Sequence, residues 1–126
     1  MSLLLDTHIL LWWLSDDSLL PTAAREAIAS PQTEVLISAA TAWEIAIKQA
    51  AGRLDAPEDL LEAVEANDFQ TLTITAAHAV DAAALPPHHS DPFDRMLIAQ
   101  ARAETLTLIS VDNRFPKYDV ELLALS

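Results

Sequence analysis

Four carboxylates stand where apolar stretches of this chain give way to a helix or a loop: Asp6 in LLLDTH, Glu44 in AATAWEIAIK, Asp94 in DPFDRMLIAQA and Asp112 in LISVDNRF. Acids so placed suit a hard divalent cation. Mg²⁺ takes oxygen ligands and usually binds through one or two carboxylates, leaving its other positions to water and substrate phosphate. A cation held this way lowers the pKa of bound water and neutralises charge growing on a phosphorane-like transition state, which is chemistry for hydrolysing a phosphodiester. No protein nucleophile is required.

Other routes to chemistry are few. The 126 residues contain no Cys and one Gly, Gly52. Thiol nucleophiles, Cys zinc sites and disulfides are therefore excluded. Glycine-rich phosphate cradles are excluded too, because they need several glycines in one strand-to-helix turn. The formal net charge is −12, from 19 acids against 7 Lys and Arg, which argues against nucleic-acid binding through a broad basic face. It does not argue against a nuclease whose metal ions supply positive charge locally.

For the acids to meet, the elements carrying them must share an edge. In an open parallel sheet the strand C-termini all lie along one edge, where ligands bind. Leu3 to Leu5 read as a strand buried on both faces, closed by Asp6. Thr7 to Leu14 follow as a helix, Ser15 to Ser18 as a loop, and Pro21 to Ala29 as a helix with proline in its first turn. Val35 to Ile37 form the second strand, followed by a helix capped by Ser38 and stopped near Gly52. Asp55 to Ala66 read as a helix whose Glu58, Glu62 and Glu65 make a solvated face, and Phe69 to Ile74 as a third strand. Thr75 caps an alanine-rich helix, Leu85 to Ser90 form a loop, and Asp91-Pro92 open a helix to about Glu104. Leu106 to Ser110 and Val120 to Leu125 read as the last strands. This βαβα alternation predicts one domain with a parallel sheet covered on both faces. The apolar N-terminus lacks a basic leader, carries Asp6 and His8, and is too short to span a bilayer, so a cytoplasmic protein with no membrane partner is expected.

Taken singly, most of the acids have ordinary explanations. Asp6 suits a helix cap, Asp91 an N-cap before Pro92, Asp94 a capping box, and Asp112-Asn113 a turn. Glu44 does not: set among Ala42, Trp43, Ile45 and Ile47, it faces a desolvation cost unless it meets a cation.

With these residues in view, LLLDTHILLWWL, SAATAWEIAIKQAAGRL, LPPHHSDPFDRMLIAQA and LTLISVD look like successive motifs of one family. Over nearly its whole length the chain resembles the PIN-domain ribonucleases, in particular the VapC-like toxins of type II toxin-antitoxin pairs. The resemblance implies a single PIN domain over residues 1–126, with a three-layer α/β/α fold around a central, mostly parallel sheet. It implies a toxin endoribonuclease using Mg²⁺ or Mn²⁺, an RNA substrate, a cognate antitoxin and a homodimer. Asp6, Glu44, Asp94 and Asp112 become the acidic quartet, with Ser110 as the hydroxyl two residues before the last acid. Asp94 matches the family position better than Asp91, which reads as the helix cap or as a support holding water or Arg95.

His88 and His89 read as a polar loop rather than as metal ligands, since no further Cys or His lies nearby in sequence. Trp12, Trp13 and Trp43 read as core, although Trp12 and Trp13 cannot easily both face inward, which leaves one for a partner surface. Lys48, Arg95 and Arg114 each adjoin a site acid, either as local charge compensation or as contacts to phosphate. Two rival classes remain: a catalytically inactive PIN-fold binding module, and a receiver-type phospho-acceptor domain. The latter needs an acceptor Asp ending a middle strand, whereas Asp55 follows Ala51-Gly52-Arg53-Leu54.

Overall fold

The structure, a computed structural model, describes residues 1–125. Strands β1 (Ser2–Leu5), β2 (Glu34–Ser38), β3 (Gln70–Leu72) and β4 (Thr107–Ile109) form one sheet in the order β3-β2-β1-β4, parallel throughout. Helices α1 (Thr7–Leu14), α2 (Thr22–Ala29), α3 (Ala39–Ala50), α4 (Leu60–Ala66), α5 (Ala76–Ala84) and α6 (Pro92–Glu104) connect and cover them. The central strand shows why the chain folds this way. Side chains alternate across a strand, so Leu3 and Leu5 enter one core and Leu4 the other, all fully buried. Leu3 and Leu5 pack with Ile9, Leu10, Ile28, Ile45 and Val64. Leu4 packs with Ala82, Leu97, Ile98 and Phe115 on the opposite face. Each such leucine contributes about 1.5–3 kcal/mol on burial. The result is the three-layer α/β/α arrangement that the sequence predicts.

Local chemistry fixes the helix ends that matter for the site. Asp6 caps α1 by accepting from the Ile9 amide at 2.9 Å, and Ser38 caps α3 by accepting from the Ala40 amide at 3.0 Å. Asp91 caps α6, accepting from Phe93 and Asp94 at 2.8 and 3.1 Å, with Pro92 at the first helical position. Gly52 takes a left-handed conformation, φ 70°, to stop α3: its amide bonds Gln49 O and the Arg53 amide bonds Lys48 O, the double closure that glycine makes strain-free. Gln100, fully buried on α6, accepts from Ser38 Oγ at 2.6 Å and donates to Thr73 O at 3.3 Å. One amide thereby ties α6 to the ends of β2 and β3 and sets the helix carrying Asp94 against the helix carrying Glu44.

Two sequence expectations need correction. The helix expected over Asp55 to Ala66 begins at Leu60, with Asp59 as its cap. Gln49 Nε2 takes the Ala56 and Pro57 carbonyls, at 3.0 and 3.4 Å, so neither is left for a helical bond. The strand expected over Val120 to Leu125 is a single bridge from Leu122 to Leu108, because three-residue β4 offers little edge to pair with. Among the described residues no helix is long and apolar enough to cross a membrane.

Candidate active site

The parallel sheet delivers its strand ends to one edge. Asp6 leaves β1, Glu44 lies on the helix that leaves β2, Asp112 follows β4, and Asp94 sits in the first turn of α6. All four line one pocket of about 260 Å³, together with Asp91, Lys48 and Arg114. A larger cleft of about 480 Å³, lined by Asp81, Leu85 and Arg102 among others, has no such convergence of carboxylates. Chemistry rather than size singles out the smaller one.

Glu44 is only 5% exposed. Its carboxylate meets the two partners its burial demands: Thr7 Oγ1 donates to Oε1 at 2.5 Å, and Lys48 Nζ, one helical turn on, reaches Oε2 at 2.5 Å. Thr7 has no distinguishing signal in the sequence beyond directly following Asp6.

The opposite wall is built around His89, which is buried at 4% exposure. Its Nε2 lies 2.8 Å from Asp94 Oδ2 and 3.5 Å from Asp112 Oδ2. One ligand atom from each of His89, Asp94 and Asp112 falls within 4.8 Å of the others. Asp112 is also gripped from outside by Arg114, whose Nε and Nη2 reach its two oxygens at 3.0 and 2.7 Å while its backbone amide adds a third bond at 2.8 Å.

These surroundings split the acids electrostatically. The Arg114 guanidinium holds the Asp112 carboxyl down at about 2. Burial, repulsion from Asp91 and the field of Asp6 push Asp94 up to about 6, against the hydrogen bond from His89. Burial likewise raises Asp6, opposed by the Ser110 hydroxyl and the Ile9 amide. Two carboxylates thus carry poorly compensated charge in a pocket lined by five carboxylates and the Thr7 side chain beside Lys48, Arg114 and His8, an excess of acidic oxygen that fits a divalent cation such as Mg²⁺ or Mn²⁺.

The split has a consequence for stability without metal. Asp94 binds its proton more tightly folded than unfolded, so the folded state gains stability as pH falls through about 6 toward the unfolded value of 3.8. Asp112 acts oppositely: its contribution is complete above 3.8 and is lost as pH falls toward about 2. In EDTA, urea denaturation should therefore show wild type gaining about 1–2 kcal/mol on D94N between neutral pH and about pH 5, after solvent screening is allowed for. A difference between the two proteins that is flat across this range would contradict the assignment of strain to Asp94.

The remaining residues fall out differently. Ser110 lies in the site, accepting from the Asp112 amide at 3.0 Å as well as neighbouring Asp6. Asp91 caps α6 and also faces the pocket. Arg95 turns away from both acids and phosphate: its guanidinium donates to the carbonyls of Ala82, Ala83, Leu85, Pro86 and His89. His88 and His89 part company, His88 resting edge-on against Tyr118 at the surface while His89 points into the acid cluster rather than into a polar loop. Trp13 is half-buried and donates to Asn67 Oδ1 at 3.0 Å, and Trp12 lines a separate cleft with Leu11, Leu54 and Pro57. Trp43, expected in the core, is 63% exposed, because the buried face of α3 is made by Ala40, Thr41, Glu44 and Ile45. For the receiver-type reading, Asp55 lies between α3 and α4 and ends no strand.

Comparison with known proteins bears on the family and the fold. Residues 3–121 match the family model of the PIN domain. The chain is 30% identical over 116 residues to ribonuclease VapC22 of Mycobacterium tuberculosis, covering 90% of this chain and 88% of that protein. Among solved structures it superposes on a chain of VapBC2 from Rickettsia felis bound to a promoter DNA fragment, with a TM-score of 0.71, 14% identity and 97% of each chain covered. It also superposes on a chain of DNA-bound VapBC from Salmonella typhimurium, with a TM-score of 0.70, 19% identity, and 97% and 96% covered.

Proposed function

This chain belongs to the PIN domain family, and we propose that it is a cytoplasmic toxin endoribonuclease of a type II toxin-antitoxin pair, cleaving RNA with a water activated by Mg²⁺ or Mn²⁺. The observation that carries the reading is the convergence of Asp6, Glu44, Asp94 and Asp112 on one pocket. The 30% identity to a mycobacterial ribonuclease supports it.

Asp6, Glu44, Asp94 and Asp112 are the residues that would hold the cation. When bound, it supplies a water of lowered pKa and positive charge against the transition state. The chain prepares the rest. Thr7 fixes the Glu44 carboxylate, and Ser110 sits between Asp6 and the turn bearing Asp112. Lys48 and Arg114, partly exposed at the rim, are the cations that meet the phosphates of RNA. Base identity is left to contacts with single-stranded or looped RNA.

The partners follow from surface chemistry. A chain at −12 suits an antitoxin with a basic segment that sends an Arg or Lys among the acids and lays apolar residues along Trp12 in its cleft of about 460 Å³. One of the structures to which the fold is similar is by name a toxin-antitoxin complex, from Klebsiella pneumoniae. Exposed Trp43 and Ile47 lie one helical turn apart on α3, and with Phe93 against Trp43 they support a homodimer.

The test is cleavage of RNA by the purified chain in Mg²⁺, after EDTA, and after Mn²⁺ is returned. Activity should vanish with chelation, recover with metal, and fall again on adding the antitoxin, with inhibition weakened by salt. Cleavage indifferent to EDTA would sink the mechanism, and none under any divalent metal would favour the inactive binding module.

A further inference from the structure

His89 is a buried imidazole set against two of the site carboxylates, and its surroundings fix what it can do. Its Nδ1 accepts from the Asp91 amide at 3.3 Å, so the ring proton resides on Nε2. That nitrogen faces Asp94 Oδ2 at 2.8 Å and Asp112 Oδ2 at 3.5 Å. A protonated nitrogen donates hydrogen bonds and cannot ligate a metal. The ring has little freedom to turn: its side chain is 2% exposed, Phe115 lies at 6.0 Å between ring centres, and the backbone carbonyl is held by Arg95 Nη1 at 3.1 Å. Asp94 Oδ1 meanwhile accepts no hydrogen bond among the described residues, so the bond to Oδ2 leaves the other oxygen free.

The geometry points to His89 as a positioning residue, a buried clamp that hydrogen-bonds Asp94 Oδ2 and stands against Asp112 Oδ2, so that the two carboxylates together receive the divalent cation. Two carboxylates brought this close repel, and they come from distant parts of the chain, one from the head of α6 and one from the turn after β4. A donor between them makes the approach favourable before any cation arrives. Loss of a partner that orients a ligating group in this way typically costs about 10- to 100-fold in metal affinity. The inference rests on the metal-dependent nuclease reading proposed above, and it gives His89 a part distinct from that of a ligand.

The test is Mn²⁺ binding, followed by the paramagnetic signal of the free ion, in wild type, D94N, H89A, H89N and H89Q, each first shown to be folded by circular dichroism. The Gln amide nitrogen falls where His Nε2 lies, whereas the Asn amide stops short at the Nδ1 position. H89A and H89N should therefore weaken Mn²⁺ about 10- to 100-fold, while H89Q restores most of the affinity. Wild-type affinity in H89A and H89N would overturn the clamp and leave the nuclease reading standing. Equal losses in H89Q and H89A would also overturn it, since the donor would then not be what matters. Should the variants fail to fold, pulsed electron paramagnetic resonance of Mn²⁺ on wild type carrying ¹⁵N-labelled histidine decides: the clamp requires that no imidazole nitrogen be bonded to the metal, and a directly bonded one would overturn it. Failure of wild type to bind Mn²⁺ at all would bring down the clamp and the nuclease reading together.

Discussion

Asp6→Asn and Asp94→Asn should each reduce Mg²⁺-dependent RNA cleavage by about 10²–10³-fold or more while raising the melting temperature of the metal-free protein by a few degrees. The two effects have one cause. In the absence of a cation, burial and neighbouring carboxylates disfavour the charge on Asp6 and Asp94. Asparagine removes that charge and keeps the local geometry: in the first variant the side-chain amide oxygen can still cap α1 at the Ile9 amide, and in the second it can still accept from His89 Nε2. Glu44→Gln should behave oppositely toward stability, because Lys48 would lose its charged partner. Cleavage rates and thermal melts in EDTA check the pair. Wild-type cleavage by either variant under saturating Mg²⁺ would remove that residue from the principal ligands, and a clear drop in melting temperature would show that its charge was not the strained one.

Arg95→Met should destabilise the fold by about 3 kcal/mol, and Arg95→Lys by about 2 kcal/mol. The last turn of α5 leaves its carbonyls without helical partners, and the Leu85–Ser90 loop, with two prolines, has few amides to supply bonds. The guanidinium fork fills the gap: Nη2 reaches Ala82 O, Ala83 O and Leu85 O at 2.9, 3.3 and 2.8 Å, and Nη1 reaches Pro86 O and His89 O at 3.0 and 3.1 Å. Lysine keeps the charge but loses the planar fork, so it recovers only part of the stability. Urea denaturation of the three proteins measures this, and a loss below about 0.5 kcal/mol for the methionine variant would mean that water satisfies those carbonyls equally well.

The comparison between Asp94 and its neighbour Arg95 shows what the sequence could convey. Asp91-Pro92 at a helix start and Leu3–Leu5 before an acid are local signals, resting on cap chemistry and strand burial, and they place the site acids on the right elements without any tertiary knowledge. Arg95 beside an acid looks like charge compensation, yet its partners lie up to thirteen residues back and are backbone carbonyls, which carry no sequence signature. His89 failed to stand out for the same reason. Apart from His88 and the acids nothing near it in sequence is a metal ligand by type, and its meeting with Asp112 depends on β4 docking beside β1. Trp43 misled because size predicts burial on average, whereas the face of α3 that turns inward is set by the small and polar residues around it.

The strand order also sets a clock. β1 is made first, but its second neighbour is β4, so one edge of the central strand stays unpaired until Thr107–Ile109 have been synthesised. Closing so long a loop before its contacts repay the lost entropy is a slow, late step. During vectorial synthesis Asp6 and Asp112 therefore remain strangers until nearly all of the described chain exists, and the pocket is born whole instead of growing by degrees. A chain cut short before β4 would be inert rather than partly active, and a protein made alongside would have the whole period of elongation in which to arrive.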